Sequence, residues 1–358
     1  MAAGVVGLRG IAVAVVVVGL VSSAAAHVFV GAYNKTCPQA EEMVYKEMTD
    51  ILGKSPEVGG AILRLFSVDC FVGGCEGSIL LNSTPGHTAE KDSPLNKGVR
   101  GYEVVDAIKA KLDAACPGIV SCSDTLALAA RDAVRLRKGP YIPLPTGRRD
   151  GNTSNAADVG PNSPAPGATV SDLLTLFAKF NFTAKDLVVL SGAHTIGKAH
   201  CSTISPRLYG NASVPDPPLD ANYTAALRGL CKPGDADTLV DLDPGSPATF
   251  DTDYYKQVAT QRGLLSTDAA LLLNADTRAY VLRQANATSD DEFFSDFIVS
   301  FVNMSKIGVL THSHGEIRQK CSAVNPPSSS PSTSAAAIAT SLAGSLLFLL
   351  AGALVLLF

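Results

Sequence analysis

Eight cysteines, spread from Cys37 to Cys321, restrict the folds open to this chain of 358 residues. An even number of cysteines in an exported protein indicates a full set of disulfides, which the sequence alone could pair in on the order of a hundred ways. Export is indicated by residues 1–26, which carry one charge at Arg9, an apolar run, and small residues at Ala24–Ala26. This pattern predicts a cleaved signal peptide, and the shortness of the apolar run disfavours a signal anchor.

The other end of the chain carries no charged residue after Cys321. Within residues 323–358 a Pro/Ser-rich spacer is followed by a small, apolar tail. This arrangement is typical of a GPI attachment signal, and the attachment residue would be Asn325 or one of Ser329–Ser334. A tail anchor and a cleaved sorting extension are the alternatives, although a retained membrane span usually has flanking Lys or Arg.

The charge of the chain gives no indication of a nucleic-acid partner. Removing residues 1–26 takes away one positive charge and changes the formal net charge from −4 to −5, so the mature protein is mildly acidic. We expect a monomer that meets a membrane only through its carboxyl-terminal tail or a lipid anchor.

Eight N-x-S/T sequons indicate a glycosylated surface, at Asn34, Asn82, Asn152, Asn181, Asn211, Asn222, Asn286 and Asn303.

Apolar residues at helical spacing predict a mainly α fold. The predicted helices cover residues 40–52, 58–70, 102–115, 121–136, 171–180, 183–190 and 295–306, and Thr183 with Asp186 predicts a capping box for the sixth of them. No stretch alternates with the period of a strand for long. The mature chain exceeds the usual size of a single core, which allows two helical lobes with a ligand between them.

A histidine between glycines follows one of these helices. His194 lies between Gly192 and Gly197, where the glycines allow close approach of backbone and cofactor. A neutral imidazole nitrogen is a good ligand for iron. An isolated histidine of this kind is more often a core side chain that bonds to a backbone carbonyl. The neighbouring motifs therefore decide whether His194 is an iron ligand or a core residue.

The segment LSGAHTIG, residues 190–197, closely resembles the proximal haem signature of plant secretory (class III) peroxidases. Further segments resemble the family in order and spacing, at residues 64–78, 88–96, 115–124, 147–150, 163–166, 243–251, 263–268 and 315–321. The resemblance implies a two-lobed haem peroxidase fold over residues 27–322, with haem b between distal and proximal helical domains and two calcium sites. It also implies the disulfides Cys37–Cys116, Cys70–Cys75, Cys122–Cys321 and Cys201–Cys231.

The resemblance assigns roles to individual residues. His194 matches the axial ligand of haem iron, and Asp268 matches the carboxylate that accepts its N–H and favours high-valent iron. The distal calcium ligands would be Asp69, Val72, Gly74, Glu76 and Ser78, an oxygen-rich set that suits Ca²⁺, with Glu76 where the family usually has Asp. The proximal calcium ligands would be Thr195, Asp243, Ser246, Thr249 and Asp251. Pro164 matches the element at the mouth of the aromatic-substrate site.

One departure from the family concerns catalysis. The family pattern Arg-Leu-His-Phe-His-Asp-Cys aligns with residues 64–70, which places the distal catalytic His on Val68, the preceding Phe on Ser67 and the earlier His on Phe66. In the family that His takes a proton from H₂O₂ and returns it to the departing oxygen, while the residue matching Arg64 stabilises the developing charge. Valine cannot carry a proton. Asn96, which matches the residue that orients the distal His, persists without it.

We therefore expect an extracellular haem peroxidase that uses H₂O₂ to oxidise phenolic donors, with impaired peroxide activation. The alternative is a non-catalytic, surface-anchored haem-binding protein, a ligand sensor or scaffold of the same fold. A structural glycoprotein without haem is disfavoured because His194 and Asp268 are retained. Of the remaining histidines, His200 is expected on the His194 side of the haem, and His87 would need a large rearrangement to replace the base. The protein would act outside the cell, in the wall or on the outer face of the plasma membrane.

Overall fold

The computed structural model describes residues 28–165, 167–210 and 217–327. The expected signal peptide, Pro166, the sequon at Asn211 and the apolar tail lie outside these ranges. Within them the protein is mainly helical, and its one two-stranded antiparallel sheet pairs residues 198–200 with residues 239–241. The predicted α class is therefore confirmed.

The first group of helices is built around one helix that is buried almost throughout. It comprises α1 (Ala40–Lys54), α2 (Val58–Val72), α3 (Tyr102–Ala115) and α4 (Cys122–Leu136). Helix α4 begins after Ser121, whose hydroxyl accepts a hydrogen bond from the Asp124 amide, and every residue from Cys122 to Val134 is buried. Helices α1, α2 and α3 all pack against α4, so α4 is the centre of this lobe.

The second group begins after the short helix α5 (Val159–Asn162). Helix α7 has the predicted capping box between Thr183 and Asp186, and α12 packs against both α7 and α10. The elements are α6 (Val170–Ala178), α7 (Ala184–Ser191), β1 (Lys198–His200), α8 (Cys201–Tyr209), α9 (Ala221–Leu230), β2 (Leu239–Asp241), α10 (Asp253–Ala259), α11 (Ser266–Ala270), α12 (Ala275–Ala285) and α13 (Asp291–Met304).

A buried ion pair and its hydrogen bonds join distant parts of the chain. Arg148 and Asp124 form a buried ion pair, 2.7 Å from Nη1 to Oδ1, and Arg148 Nε also donates to the Ser305 carbonyl at 3.0 Å. Because buried charges are tolerated only when paired and hydrogen-bonded, this arrangement holds the segment after α4 against the end of α13.

The four disulfides form the implied pairs: Cys37–Cys116, Cys70–Cys75, Cys122–Cys321 and Cys201–Cys231.

The carboxyl-terminal end of the folded part reaches Asn325, three residues beyond the expected boundary at residue 322. The Asn325 side chain donates to the Ile317 carbonyl at 2.8 Å and accepts from the Gln319 amide at 3.0 Å. Its own amide donates to a Glu316 carboxylate oxygen at 3.0 Å. In the three described ranges no helix is long and apolar enough to cross a membrane.

Candidate functional site

His194 is presented by a tight turn at the end of α7. The helix stops at Ser191, and residues Gly192–Thr195 form one turn of 3₁₀ helix. A Cβ on Gly192 would lie 2.4 Å from the Tyr255 hydroxyl and 2.7 Å from the Phe293 ring, so only glycine lets the turn pack this closely. The imidazole that follows is 35% exposed, which leaves one edge open for a ligand.

Asp268 holds this imidazole in one orientation. Its Oδ1 lies 2.8 Å from His194 Nδ1, and its Oδ2 accepts from the Leu265 amide at 3.2 Å. Tyr254 donates its hydroxyl to Oδ1 at 2.9 Å, a partner that the sequence alone did not reveal. The carboxylate is 1% exposed and fixes the proton of the ring on Nδ1, so Nε2, which has no partner among the described residues, could bind a metal.

Helix α2 brings a second set of residues to the same opening. A Cβ on Gly60 would lie 2.5 Å from the Gly197 Cα, so the start of α2 touches the segment just after His194. Arg64 and Val68 follow Gly60 at intervals of four and therefore lie on the same face of the helix. Arg64 is exposed and Val68 half-buried, unlike the buried residues on the opposite face. A planar cofactor could be held between this face of α2 and the open edge of His194, and this place is called the cleft below.

The residues at this cleft fit a haem group. They offer an imidazole with a free nitrogen, half-buried apolar side chains at Val68, Leu190 and Ala193, and the positive charge of Arg64. Arg64 Nη2 lies 3.5 Å from the Leu95 carbonyl. Partial desolvation lowers the pKa of the Arg64 guanidinium, which stays protonated at any physiological pH.

The cleft side of α2 contains no acid–base group next to Arg64. Ser67, the residue before Val68, donates its hydroxyl to the Arg64 carbonyl at 3.0 Å and so bonds within the helix. Phe66 is fully buried and packs against Phe301, with ring centroids 5.4 Å apart. Asn96 is 2% exposed and donates from Nδ2 to the Glu90 carbonyl at 2.9 Å.

The two other candidate histidines lie elsewhere. His87 Nε2 is held 2.7 Å from the Ser154 carbonyl, away from α2. His200, in β1, lies against Gly98, so that a Cβ added there would be 3.3 Å from Nε2. It therefore touches the segment that follows Asn96. From the sequence, His200 is expected only on the His194 side of the haem. Its Nδ1 is buried and has no hydrogen-bond partner among the described residues.

The five expected distal calcium ligands lie in and after the last turn of α2. Asp69 accepts hydrogen bonds from the amides of Gly77, at 2.9 Å, and Ile79, at 3.3 Å. A Cβ on Gly73 would lie 2.5 Å from Ser78 Oγ and 3.4 Å from Glu76 Oε1, so these oxygens border one small space; the expected Val72 and Gly74 carbonyls flank Gly73.

Charge and hydrogen bonding at the distal loop also fit a cation. The buried oxygens Ser78 Oγ and Glu90 Oε2 have no hydrogen-bond partner in the described part of the chain. Burial raises the pKa of Asp69 to about 7. Burial, and next the charge of Asp69, raise the pKa of Glu76 to about 7 and that of Glu90 to about 8. A bound cation would offset this repulsion, so the loop fits Ca²⁺.

The proximal set of oxygens is more tightly clustered. Thr195 Oγ1 lies 3.1 Å from Asp243 Oδ2, 3.3 Å from the Thr249 carbonyl and 3.4 Å from Asp251 Oδ1. Ser246 Oγ lies 3.3 Å from Asp243 Oδ2 and 2.8 Å from Asp251 Oδ1. Burial, and then the charge of Asp253, raise the pKa of Asp243 to about 6. All five expected residues therefore converge.

Neither cluster depends on many acidic or histidine ligands. In the described ranges, no group of three or more His, Cys, Asp or Glu side chains is arranged to hold a metal ion. The two candidate sites would instead combine two carboxylates with hydroxyl and carbonyl oxygens, which is a ligand set that Ca²⁺ accepts. Pro164, the expected substrate contact, is exposed.

Comparisons with known proteins agree with this geometry. A model of the peroxidase family matches residues 44–287. The chain is 49% identical over 299 residues to Peroxidase 1 of Oryza sativa subsp. japonica, covering 82% of this chain and 91% of the relative. It is 48% identical over 298 residues to Peroxidase 27 of Arabidopsis thaliana, covering 83% and 92%.

The helical fold, the four disulfides and a His–Asp pair at a cleft with an arginine define the class of haem peroxidases. The chain belongs to the plant secretory peroxidase family, as its similarity to these relatives over most of both lengths shows. Members of this family use H₂O₂, haem and calcium. The expected class of enzyme is thereby confirmed.

Proposed function

We propose that this protein is an extracellular haem peroxidase that oxidises phenolic donors with H₂O₂ and activates peroxide slowly. One observation supports the slow activation of peroxide. Val68 stands half-buried on the cleft face of α2, one turn after Arg64, at the position where the family has its acid–base histidine. No neighbouring group on that face can take its place.

On the proximal side, the protein would supply a positioned ligand. Haem bound to His194 Nε2 would provide the iron and the porphyrin that store the oxidising power of H₂O₂. Asp268 would keep the His194 ring proton on Nδ1 and strengthen the ligand by accepting that N–H at 2.8 Å. Tyr254 and the Leu265 amide hold the carboxylate in place, so the imidazole cannot rotate away from the cofactor.

On the distal side, the protein would supply charge without a base. Arg64 can stabilise negative charge on the departing oxygen, but a guanidinium that stays protonated cannot take the first proton from H₂O₂. A positioned base typically contributes ~10²–10⁴-fold to a proton transfer, or roughly 3–5 kcal/mol of barrier. Losing it would slow turnover, while Arg64 and the His194–Asp268 pair would remain to support the residual activity.

Calcium would brace both sides of the cleft. The distal ion would be held by Asp69, Glu76 and Ser78 with the carbonyls of Val72 and Gly74, in and after the last turn of the helix that carries Val68. The proximal ion would be held by the cluster around Thr195, the residue next to His194. Each ion would therefore fix a segment that positions a cleft residue. Pro164 would contact the phenolic donor at the mouth of the cleft.

A second function is favoured by the same valine. A peroxidase fold that binds haem through His194 but does not activate peroxide would serve as a surface-anchored haem sensor or scaffold. The distinction is kinetic and can be measured. Purified holoprotein is mixed with H₂O₂ while the Soret band is recorded, and the oxidation of guaiacol is followed in parallel. A slow Soret change with phenol oxidation supports the peroxidase, whereas an unchanged band and no oxidation support the sensor.

The protein would act outside the cell and be attached to its surface by the carboxyl-terminal tail. Its seven described sequon asparagines are all exposed, which supports a glycosylated surface. Hydrogen bonds tie Asn325 into the folded domain, so lipid attachment within Ser329–Ser334 is favoured over Asn325. The expected division into a signal peptide, a peroxidase domain and a tail stays part of the proposal.

A further inference from the structure

We infer that Tyr254, Tyr255 and Tyr280 form a path along which oxidising equivalents leave the haem and reach a second one-electron oxidation site at Tyr280. The inference rests on the proposed peroxide chemistry, because H₂O₂ is the oxidant. It adds an oxidation site that lies on the far side of His194 from the peroxide-binding cleft.

The path is a row of aromatic rings that starts at the iron ligand. The Tyr254 ring lies 6.1 Å from the His194 ring, the Tyr255 ring 5.1 Å from Tyr254, and the Tyr280 ring 5.9 Å from Tyr255, measured between centroids. Each contact is edge to face, with interplanar angles of 79°, 70° and 66°. This is the preferred geometry of packed aromatic rings, and rings in direct contact exchange electrons readily.

The chemistry of the side chains favours tyrosine as the carrier. The chain contains no Trp, so tyrosine is its most easily oxidised aromatic residue. Tyr255 also contacts Phe293, with centroids 5.3 Å apart, but a phenylalanine ring is far harder to oxidise than a phenol. The other six tyrosines make no ring-to-ring contact within the described residues, so the row leads from His194 to Tyr280 alone.

Tyr280 is suited to be the end of the path because it has a proton acceptor. Its hydroxyl donates to Asp296 Oδ2 at 2.9 Å, whereas the Tyr255 hydroxyl meets only the Val188 carbonyl at 3.2 Å. Tyr254 donates to Asp268 Oδ1, but that oxygen already accepts the His194 N–H. Burial and the hydrogen bond to Asp296 raise the pKa of Tyr280, so the phenol is protonated before it is oxidised. A phenol that loses an electron must lose its proton, and Asp296 can take it while Val188 cannot.

The end of the path also lies near the surface. Tyr254 and Tyr255 are 1% and 0% exposed, and Tyr280 is 3% exposed. The Asp296 side chain is 17% exposed and pairs with the exposed Lys185 at 2.6 Å. Arg283 lies over the Tyr280 ring, 4.8 Å from its centroid. The partly exposed Asp296 and the exposed Arg283 thus lie between Tyr280 and the solvent, and a donor too large for the cleft could be oxidised there.

Tyr280 loses one electron, which passes through Tyr255 and Tyr254 to the oxidised haem site, and its phenolic proton moves to Asp296. Two such oxidations supply the two electrons that, with two protons, convert one H₂O₂ into two waters. A donor that gives one electron and one proton back to Tyr280 restores the phenol.

The test is freeze-quench EPR of the holoprotein after mixing with H₂O₂, using ring-deuterated tyrosine to identify tyrosyl radicals. Tyr280→Phe should remove most of the tyrosyl signal while keeping the ring and its packing. Tyr255→Phe should reduce the signal because it interrupts the relay. Tyr141→Phe, at an exposed tyrosine outside the row, is the matched control and should leave the signal unchanged. A signal of equal size in Tyr280→Phe would overturn the inference.

The same measurements in a Val68→His background separate this inference from the proposed function. If peroxide activation is slow in the native chain, the Soret change and the radical will both be weak there and both strong with Val68→His, which supports the path. If the Soret band responds fully in the Val68→His protein but no radical depends on Tyr280, the path is wrong although the peroxidase is active. Tyr33, buried and hydrogen-bonded to Asp124 at 2.6 Å but outside the row, should carry no radical in either background.

Discussion

At the scale of single residues, Val68 separates two properties that the family combines. In the proposed function the His194–Asp268 pair, at 2.8 Å, would hold iron, whereas Val68, one turn after Arg64, has no group that can move a proton. Asn96 is buried and donates from Nδ2 to the Glu90 carbonyl, and its Oδ1 is the atom that could accept a hydrogen bond from a distal imidazole. Binding of haem and activation of peroxide should therefore respond to different mutations.

Val68→His should accelerate peroxide activation. The new imidazole would stand beside Arg64 and take the first proton of H₂O₂, a contribution of ~10²-fold or more on general-base grounds. Adding Ser67→Phe should help further by restoring an aromatic neighbour to the ring. The measurement is the rate of the Soret change with H₂O₂ in stopped flow, at matched haem occupancy.

Val68→Gln is the control for this prediction, because it adds polarity and volume at the same place without adding a base. It should react as slowly as the native chain. If the native chain already matches Val68→His, another group supplies the base. His200, with its unpartnered Nδ1, would then be the first residue to replace.

His194→Ala should abolish or greatly weaken haem binding, because it removes the nitrogen that Asp268 orients. The Soret absorbance of the purified protein, relative to its absorbance at 280 nm, measures the effect. His87→Ala is the matched control, since that ring bonds to the Ser154 carbonyl and should leave the Soret band intact. A normal haem spectrum in His194→Ala would show that the axial ligand is a different residue.

At the scale of elements, the distal loop should make stability depend jointly on calcium and pH. Without calcium, the folded chain raises the pKa values of Asp69 and Glu76 to about 7 and of Glu90 to about 8. The unfolded chain loses these protons near pH 4. Between these values the folded state binds more protons than the unfolded state, so its stability falls as pH rises from about 4 to about 8.

Removing calcium should therefore cost little at pH 5 and most at pH 8. The melting temperature of EDTA-treated protein should fall across this range, and added Ca²⁺ should restore it at pH 8, since a ligand that binds only the folded state stabilises it. Glu76→Gln, which removes one of the three charges, should flatten the dependence on pH. Equal melting temperatures with and without calcium at pH 8 would exclude both calcium sites.

The helices differ in how well the sequence predicts them. The longest apolar helices were predicted with boundaries within four residues, because their periodicity extends over several turns. Helices α8 to α12 were missed: α11 has five residues and α10 seven, too few to establish a period. Helix α8 contains Pro206, a residue that argues against a helix interior. The missed helices α10 and α12 carry Tyr254, Tyr255 and Tyr280, so the row of rings could not be anticipated from the sequence.

Residues of the candidate site could be named from the sequence because they lie in short motifs with fixed spacing, whereas several of the helices that support them could not. The Asp268 carboxylate lies against His194 and the proximal oxygens lie around Thr195, while the roles assigned to these residues stay predictions. Contacts between motifs were not predictable: Tyr254 shares Asp268 with His194, and His200 reaches Gly98. Such contacts depend on how α10 and β1 pack, which no local pattern in the sequence encodes.

At the scale of the whole molecule, the folded domain and the tail should be separable. The hydrogen bonds of Asn325 to residues 316–319 complete the domain, and the Cys122–Cys321 disulfide joins this end to α4. Everything that positions His194 and Val68 lies before this point. A chain that stops after Pro327 should therefore fold, bind haem and be released into the medium.

The full chain should instead stay on the cell surface through a lipid. The charge-free tail predicts that the chain is cleaved within Ser329–Ser334 and joined to a GPI anchor. Mass spectrometry of the carboxyl-terminal peptide should then find ethanolamine phosphate on one of these residues, and phosphatidylinositol-specific phospholipase C should release protein with an unchanged Soret band. The chain that stops after Pro327 is the control and should carry no ethanolamine. A membrane-bound protein whose terminal peptide still contains the apolar tail would show a retained anchor, because a GPI transfer reaction removes that tail.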